Sequence, residues 1–229
     1  MIKLNLVFFV ILFSAKLYAQ EPAGNKSAED KKEVAAISEY KKLYKYADSV
    51  RQFGHAGSLD TAIYKVADSL DKLHPKEYFT MALQLMTGHK LNEASFIYLI
   101  GYVRYSYYNF SNPEYSSEDD GALATSLFSI VGEPMQMFLR SDIDNYISLL
   151  KKTFVWCSSH DYNFFSKNKA PDKYLKELTN LNNVITDLEN NNEKYRKDWN
   201  DERIDMEKMF DSALEKNNDS LKKTGSPVH

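Results

Sequence analysis

Between Phe96 and Tyr108 the chain has almost no polar face to offer. Phe96, Ile97, Tyr98, Leu99, Ile100, Tyr102, Val103, Tyr105, Tyr107 and Tyr108 cover nearly every side of a helix drawn through them. A surface helix shows one apolar stripe and an opposite polar face, so a helix that is apolar all round is packed on several sides. The spacing predicts a central helix over 93–108 with the rest of the chain assembled around it. The sequence has few glycines and prolines, 8 and 6 in 229 residues, and strand-like alternation is hard to find. The remaining elements therefore read as helices too. The expected fold class is all-α: antiparallel helical hairpins around the central aromatic helix (93–108), with a long C-terminal helix.

The first nineteen residues follow a different rule. Met1-Ile2-Lys3 is a short positive start, Leu6 to Ala15 is an apolar run, and Leu17-Tyr18-Ala19 offers a small residue at a cleavage position. That is the pattern of a secretory leader. The run is about ten residues, whereas a membrane-crossing helix needs about twenty. Residues 1–19 are read as a signal peptide cut near Ala19, leaving no stable membrane anchor and a soluble protein in the periplasm or outside the cell. Cys157 is the only cysteine. An exported chain with a single thiol has no internal disulfide, so packing must hold it together. No cysteine follows the apolar run to carry a lipid.

The formal net charge is −3, and removing Lys3 and Lys16 with the leader makes it two units more negative. An acidic chain without a basic cluster argues against nucleic acid as a partner.

Along the chain, residues 20–30 are polar and read as a flexible lead-in, with a helix starting near Ser27. The helical core is placed at 31–160. Gly54 and Gly57 punctuate, Ser58 is the expected cap of the next helix, and His74-Pro75 breaks the chain before a third. Gly88 suits a left-handed helix end, and Asn92 suits the cap of the aromatic helix. Asn109 to Asp120 is a polar loop. A short helix from Gly121 to Val131 is expected to end in a turn at Gly132-Glu133-Pro134. Ser141 or Asp142 caps a helix to about Ser158, with Cys157 on its buried face beside Trp156.

From Pro171 onward the chain has a seven-residue rhythm. Leu178, Ile185, Asn192, Trp199, Met206 and Ala213 share one position; Leu181, Leu188, Tyr195, Glu202 and Met209 share the other. The pattern predicts a long helix over 171–222. Val184 and Phe210 widen the stripe, which favours packing on the core over a coiled coil. The alternative is a homodimer through residues 178–213. Residues 223–229 read as a disordered tail.

Gly54-His55 and Gly88-His89 lie 34 positions apart, each ahead of a helix start. The stretch Met86 to Gly101, with Gly88, the Glu93-Ala94 pair and Tyr98, resembles the turn of a tetratricopeptide hairpin. The resemblance spans about residues 54–108 and implies stacked antiparallel helix pairs. No third copy is visible, and a stable solenoid needs about three. A second set of segments, Asn92 to Tyr98, Gly101 to Tyr105, Asp120 to Leu123, and Val131 to Pro134 with Ser141 to Ile143, is similar to a group of exported bacterial all-helical proteins without an assigned activity. It implies that residues 75–160 form one unit.

Arg104 is the sharpest single residue. On a helix otherwise apolar, its guanidinium must find a carboxylate or several carbonyls. Asp119, Asp120, Glu133 and Asp142 lie in the turns that follow. The binding reading is an anion site built from Arg104, Tyr102, Tyr105, Tyr108, Asp119 and Asp120. The structural reading is an internal ion pair, and it is favoured. The acidic stretch Glu114, Glu118, Asp119, Asp120 lacks the alternating ligands of a calcium loop; capping of the following helix explains Asp119 or Asp120 instead. The five histidines show no metal-ligand spacing, and no serine sits in a nucleophile motif. No catalytic residue, metal ligand or cofactor is therefore assigned.

The expected role is an exported helical protein that binds another protein in the bacterial cell envelope, of an inhibitor or immunity type. The alternative is a small-molecule or lipid binder with a pocket between helices, and third a hydrolase whose acidic residues spacing does not identify. The three differ in what they need. A protein binder needs an exposed recognition patch, a small-molecule binder a closed apolar pocket of about 300 Å³ or more, and an enzyme a cleft where titratable groups converge.

Overall fold

A computed structural model of the chain describes residues 26–116 and 118–223. The leader 1–19, the first part of the lead-in and the tail beyond Lys223 lie outside the described residues. Among the described residues the secondary structure is helical, without strands. The helices are α1 (Lys26–Gln52), α2 (Ala62–Leu70), α3 (Lys76–Thr87), α4 (Leu91–Ser111), α5 (Asp120–Leu127), α6 (Glu133–Arg140), α7 (Ile143–Ser159), α8 (Pro171–Asn190) and α9 (Asn192–Lys223). One compact unit comprises residues 39–208; the described residues 26–38 and 209–223 belong to a second, in which Ile37 and Phe210 are buried.

The aromatic stretch is the centre of the larger unit. Fourteen of the 21 residues of α4 are buried, and α3, α5, α6, α7 and α8 all pack on it. Against α3 the two backbones come close. A Cβ on Gly101 would lie 2.5 Å from Cβ of Tyr78, so only glycine fits there. Phe79 meets both Tyr98 and Tyr105 edge-on, at ring separations of 5.7 and 5.8 Å. Because α3 and α4 are joined by a three-residue turn, these contacts make them an antiparallel pair.

The chain then returns along α4. Tyr105 reaches the carbonyl of Asp120, Tyr102 meets Phe128, the Tyr98 hydroxyl lies against Gly132, and Ser95 faces Met135. This antiparallel ladder shows that Gly132-Glu133-Pro134 does not turn the chain, contrary to the sequence reading. Residues 120–140 form one continuous rod, with a π-helical turn at Phe128–Gly132 between α5 and α6. Pro134 has no N–H to donate and crowds the carbonyl four residues back. A wider turn just before it absorbs that conflict without ending the helix. The rod is long and apolar enough to cross a bilayer by length and composition, yet Val131, Pro134, Met135, Phe138 and Leu139 on it are buried in the domain.

After the rod, α7 runs parallel to α4 and α8 antiparallel to α7, with Lys151 paired to Glu189 at 2.6 Å. Asp142 caps α7 by accepting from the N–H groups of Asp144 and Asn145, one of the two residues expected to do so. The expected single C-terminal helix is two helices broken at Asn191. The Asn191 side chain folds back, donating to the carbonyl of Asp187 at 3.1 Å and to its carboxylate at 2.8 Å. Such local side-chain bonds compete with the helical ladder, and three consecutive asparagines concentrate that competition.

Two expected caps turn out otherwise. Asn92 lies inside the first turn of α4, and its amide donates to the carbonyls of His55 and Ser58 and accepts from Asn145. Asn145 in turn accepts from the N–H of Gly57 at 2.6 Å. The two buried asparagines thus clamp the loop after α1, a tertiary role that spacing does not reveal. Ser58 caps nothing; Asp60 accepts from the N–H of Ala62 at the start of α2.

The two Gly-His pairs end their helices one residue out of register. After α1, Gly54 is the left-handed residue (φ 70), and the N–H of His55 reaches the carbonyl of Val50. After α3, Gly88 has φ −81 and His89 takes the left-handed place at φ 58, with Lys90 N–H on the carbonyl of Leu85. The left-handed position expected at Gly88 therefore belongs to His89. A side chain pays there a steric cost that glycine avoids, roughly 1 kcal/mol. His89→Gly is expected to raise unfolding free energy by about 1 kcal/mol in urea titration; a destabilised variant would contradict this reading of the turn.

Candidate functional site

Arg104 is completely buried, and its partner is none of the four acids expected from the sequence. It is Asp71, at the C-terminal end of α2, with Nε to Oδ1 at 2.9 Å and both side chains shut off from solvent. Each nitrogen of the guanidinium has a partner. Nη2 of Arg104 donates to the carbonyl of His160 at 3.2 Å and Nη1 to the Tyr174 hydroxyl, which donates onward to the carbonyl of Cys157 at 2.7 Å. Asp71 also accepts from the Tyr78 hydroxyl at 2.7 Å and from Trp156 Nε1 at 3.1 Å. The rings of Tyr162 and Tyr174 face the guanidinium. Burial works against the charged guanidinium, but the neighbouring thiol, phenols and carboxylate outweigh it and hold its pKa above the ordinary value. Neither side chain is open to a ligand from solvent.

The other residues of the sequence-derived site do not converge on Arg104. Tyr102 points the opposite way, half exposed beside Phe128. Tyr105 and Tyr108 meet instead around His74, whose ring also lies edge-on to Phe164 at 5.5 Å. Asp120 stands 3.7 Å from Nε2 of His74, while Nδ1 accepts from the N–H of Lys76. Burial among these rings pushes the imidazole pKa down, against the pull of Asp120. Asp119 caps α5 by position but makes no side-chain cap bond. Glu133 is raised by burial, and one of its buried oxygens has no hydrogen-bond partner among the described residues. Cys157 is fully buried, and burial pushes its thiol up to about 11, so the unreactive thiolate-poor form prevails at neutral pH. Among the described residues no three His, Cys, Asp or Glu side chains are arranged to hold a metal ion.

Sequence reasoning missed the most distinctive surface of the larger unit. A solvent-open groove of about 330 Å³ lies where α9 crosses the end of α1 and the corner between α6 and α7. Its lining carries Arg51, Arg140, Arg196, Lys197 and Arg203 against one acid, Glu193. Half-buried Trp199 lies within the same wall, beside Tyr195 and Tyr146 at 5.1 and 6.0 Å and with Arg140 over its ring at 5.8 Å. The carboxylates that balance these cations are themselves solvent-exposed beside them. Asp48 takes Arg203 through two bonds of 2.7 and 2.8 Å, which hold its carboxyl below the usual carboxylate range. Glu202 takes Arg140 at 3.2 Å, and Asp144 takes Arg196 at 3.0 Å. A second open cavity, about 230 Å³ between the end of α7 and α8, is lined by Tyr174, Leu175 and Leu178 with Ser158 and Lys167. The large exposed apolar side chains Phe53, Ile130, Val155 and Leu175 come from four different parts of the chain.

The groove could not be found from composition because its cations come from three separated stretches, each of them an ordinary charged helix surface. The buried pair was half legible: Arg104 declared itself by its helix, Asp71 did not. Removing one member of a buried pair strands the other, at about 3–5 kcal/mol. Arg104→Met is expected to lower unfolding free energy by that amount in urea titration, and a loss under about 1 kcal/mol would show that the pair is not sealed from water. No protein-family model, no curated protein and no solved structure matches this chain.

Proposed function

We propose that this chain is a binding protein of the bacterial cell envelope that recognises another protein through the groove around Trp199. The observation that carries the reading is the make-up of that groove: four arginines, a lysine and a tryptophan on one face. Arginine and tryptophan supply most of the strongly contributing positions in protein interfaces, because each combines a large rigid contact area with donors of fixed geometry. The polar network around Arg104, by contrast, is spent on the domain itself. An inhibitor or immunity-type role is the concrete version of this proposal, with export through the leader 1–19 as its setting.

A small-molecule role is the second reading. It is favoured by the groove volume of about 330 Å³, which falls at the lower end of ligand sites, roughly 300–1,000 Å³. Its open, polar lining fits that reading less well than it fits a protein surface.

The two separate in one experiment. The chain from Gln20 onward, immobilised and exposed to envelope extract of its own cells, is compared with a Trp199→Ala variant of equal melting temperature. The expected outcome is a protein retained by the parent and lost, or reduced about tenfold, in the variant. Equal retention by both would overturn the assignment to this groove.

A further inference from the structure

His74 joins several parts of the larger unit through one ring. It sits at the corner between α2 and α3. Its ring stands edge-on to Tyr105 and Tyr108 of α4 and to Phe164 of the loop after α7, at 5.7, 5.3 and 5.5 Å. Its Nδ1 accepts from the N–H of Lys76 at 3.2 Å, taking up one of the amides that a helix leaves unpaired at its start. Because Nδ1 accepts, the hydrogen of the neutral ring sits on Nε2, which stands 3.7 Å from Oδ1 of Asp120 at the start of α5. Two further bonds tie the same corner to the loop after α7. The Tyr162 hydroxyl donates to the carbonyl of Leu73 at 3.0 Å, and the N–H of Phe164 to the carbonyl of Asp71 at 2.9 Å. The His74 side chain keeps 24% of its surface exposed, so a proton from solvent can reach it.

A second proton has only Nδ1 to go to, and there it sets a donor against the N–H of Lys76. It also places a positive charge at the start of α3, where the helix dipole disfavours cations. Asp120 pulls the other way. At 3.7 Å its carboxylate is beyond hydrogen-bond length from Nε2, and it is a quarter exposed, so the attraction is weak. The other charged groups facing the ring are Lys76 and Glu77 of α3, which oppose each other. From α4 come the phenols of Tyr105 and Tyr108, and from the loop after α7 the ring of Phe164. Burial is the largest influence on the imidazole and lowers its pKa from the ordinary value. We propose that His74 is an acid-sensitive latch: its neutral ring holds the α2–α3 corner, the start of α5 and the loop after α7 together, and protonation releases them. The unfolded chain takes up the proton first as pH falls through about 6.5, so stability that is complete above that pH is lost below it. The latch is independent of the binding reading above.

The test follows urea unfolding of the chain from Gln20 onward at about pH 7.5 and 5.5, on either side of the ordinary imidazole pKa of about 6.5. Two variants accompany the parent. His74→Asn brings an oxygen that can take the same N–H but no ring, and His74→Phe keeps a ring that takes no proton. Between the two pH values the folding equilibrium constant of the parent is expected to fall about three- to tenfold further than that of either variant. A further fall of less than about threefold would overturn the latch, and so would a gain, which would mean that the Asp120 pair wins. Hydrogen exchange reads the local step. Protection of the Lys76 amide is expected to fall more than that of α7 amides around Trp156; equal falls would show acid acting on the whole fold and overturn the latch. If neither variant folds, the His74 ring of the parent is titrated by NMR. A midpoint below about 6.5 is the expected result, and one at or above it would overturn the latch.

Discussion

The ion pair between Arg104 and Asp71 is the constraint on which the interior of the larger unit depends. One residue of α4 and one at the end of α2 are charged where no water reaches them. Every element near them supplies a bond that makes this tolerable: Tyr78 from α3, Trp156 and the carbonyls of Cys157 and His160 from α7 and its end, and Tyr174 from α8. The N–H of Phe164 adds a bond to the carbonyl of Asp71 at 2.9 Å, which brings the loop after α7 into the same cluster. Such a pair adds little net stability over an apolar packing of the same shape. What it adds is selection, because an arrangement that moves any of these helices leaves a buried charge with an empty valence.

That selection gives the molecule a division of labour among its arginines. Arg104 is satisfied inside and closed to ligands. Arg51, Arg140 and Arg196 line the groove, each paired to a carboxylate at the surface. The same side chain is sealed in the interior in one place and part-exposed beside a carboxylate in the other.

Much of this was legible in the sequence, and what was not has identifiable causes. The aromatic run declared a central helix because it left no face for water, and Asp142 declared itself as a cap. Arg104 was recognisable as a buried charge from its helix alone. Its partner was not, since Asp71 lies between Asp68 and Lys72 on what reads as the ordinary solvated face of the second helix. Gly132-Glu133-Pro134 has the composition of a turn, yet a π-helical turn before Pro134 lets the rod continue, with Gly132 lying against the Tyr98 hydroxyl. Asn92 and Asn145 carry no local signal for each other across the fold. The groove was invisible for the plainest reason: its charges meet only after α1, α6 and α9 have been brought together.

Hydrogen exchange followed residue by residue tests the central claim most directly, because it reports which segments open together. If the ion pair ties α2, α4, α7 and α8 into one interior, amides of α4 from Phe96 to Tyr107 and of α7 around Trp156 exchange only through global unfolding, with one common protection. Amides of α9 along the groove exchange earlier, through local opening. Early exchange in α4 around Arg104, with α9 still protected, would contradict the account.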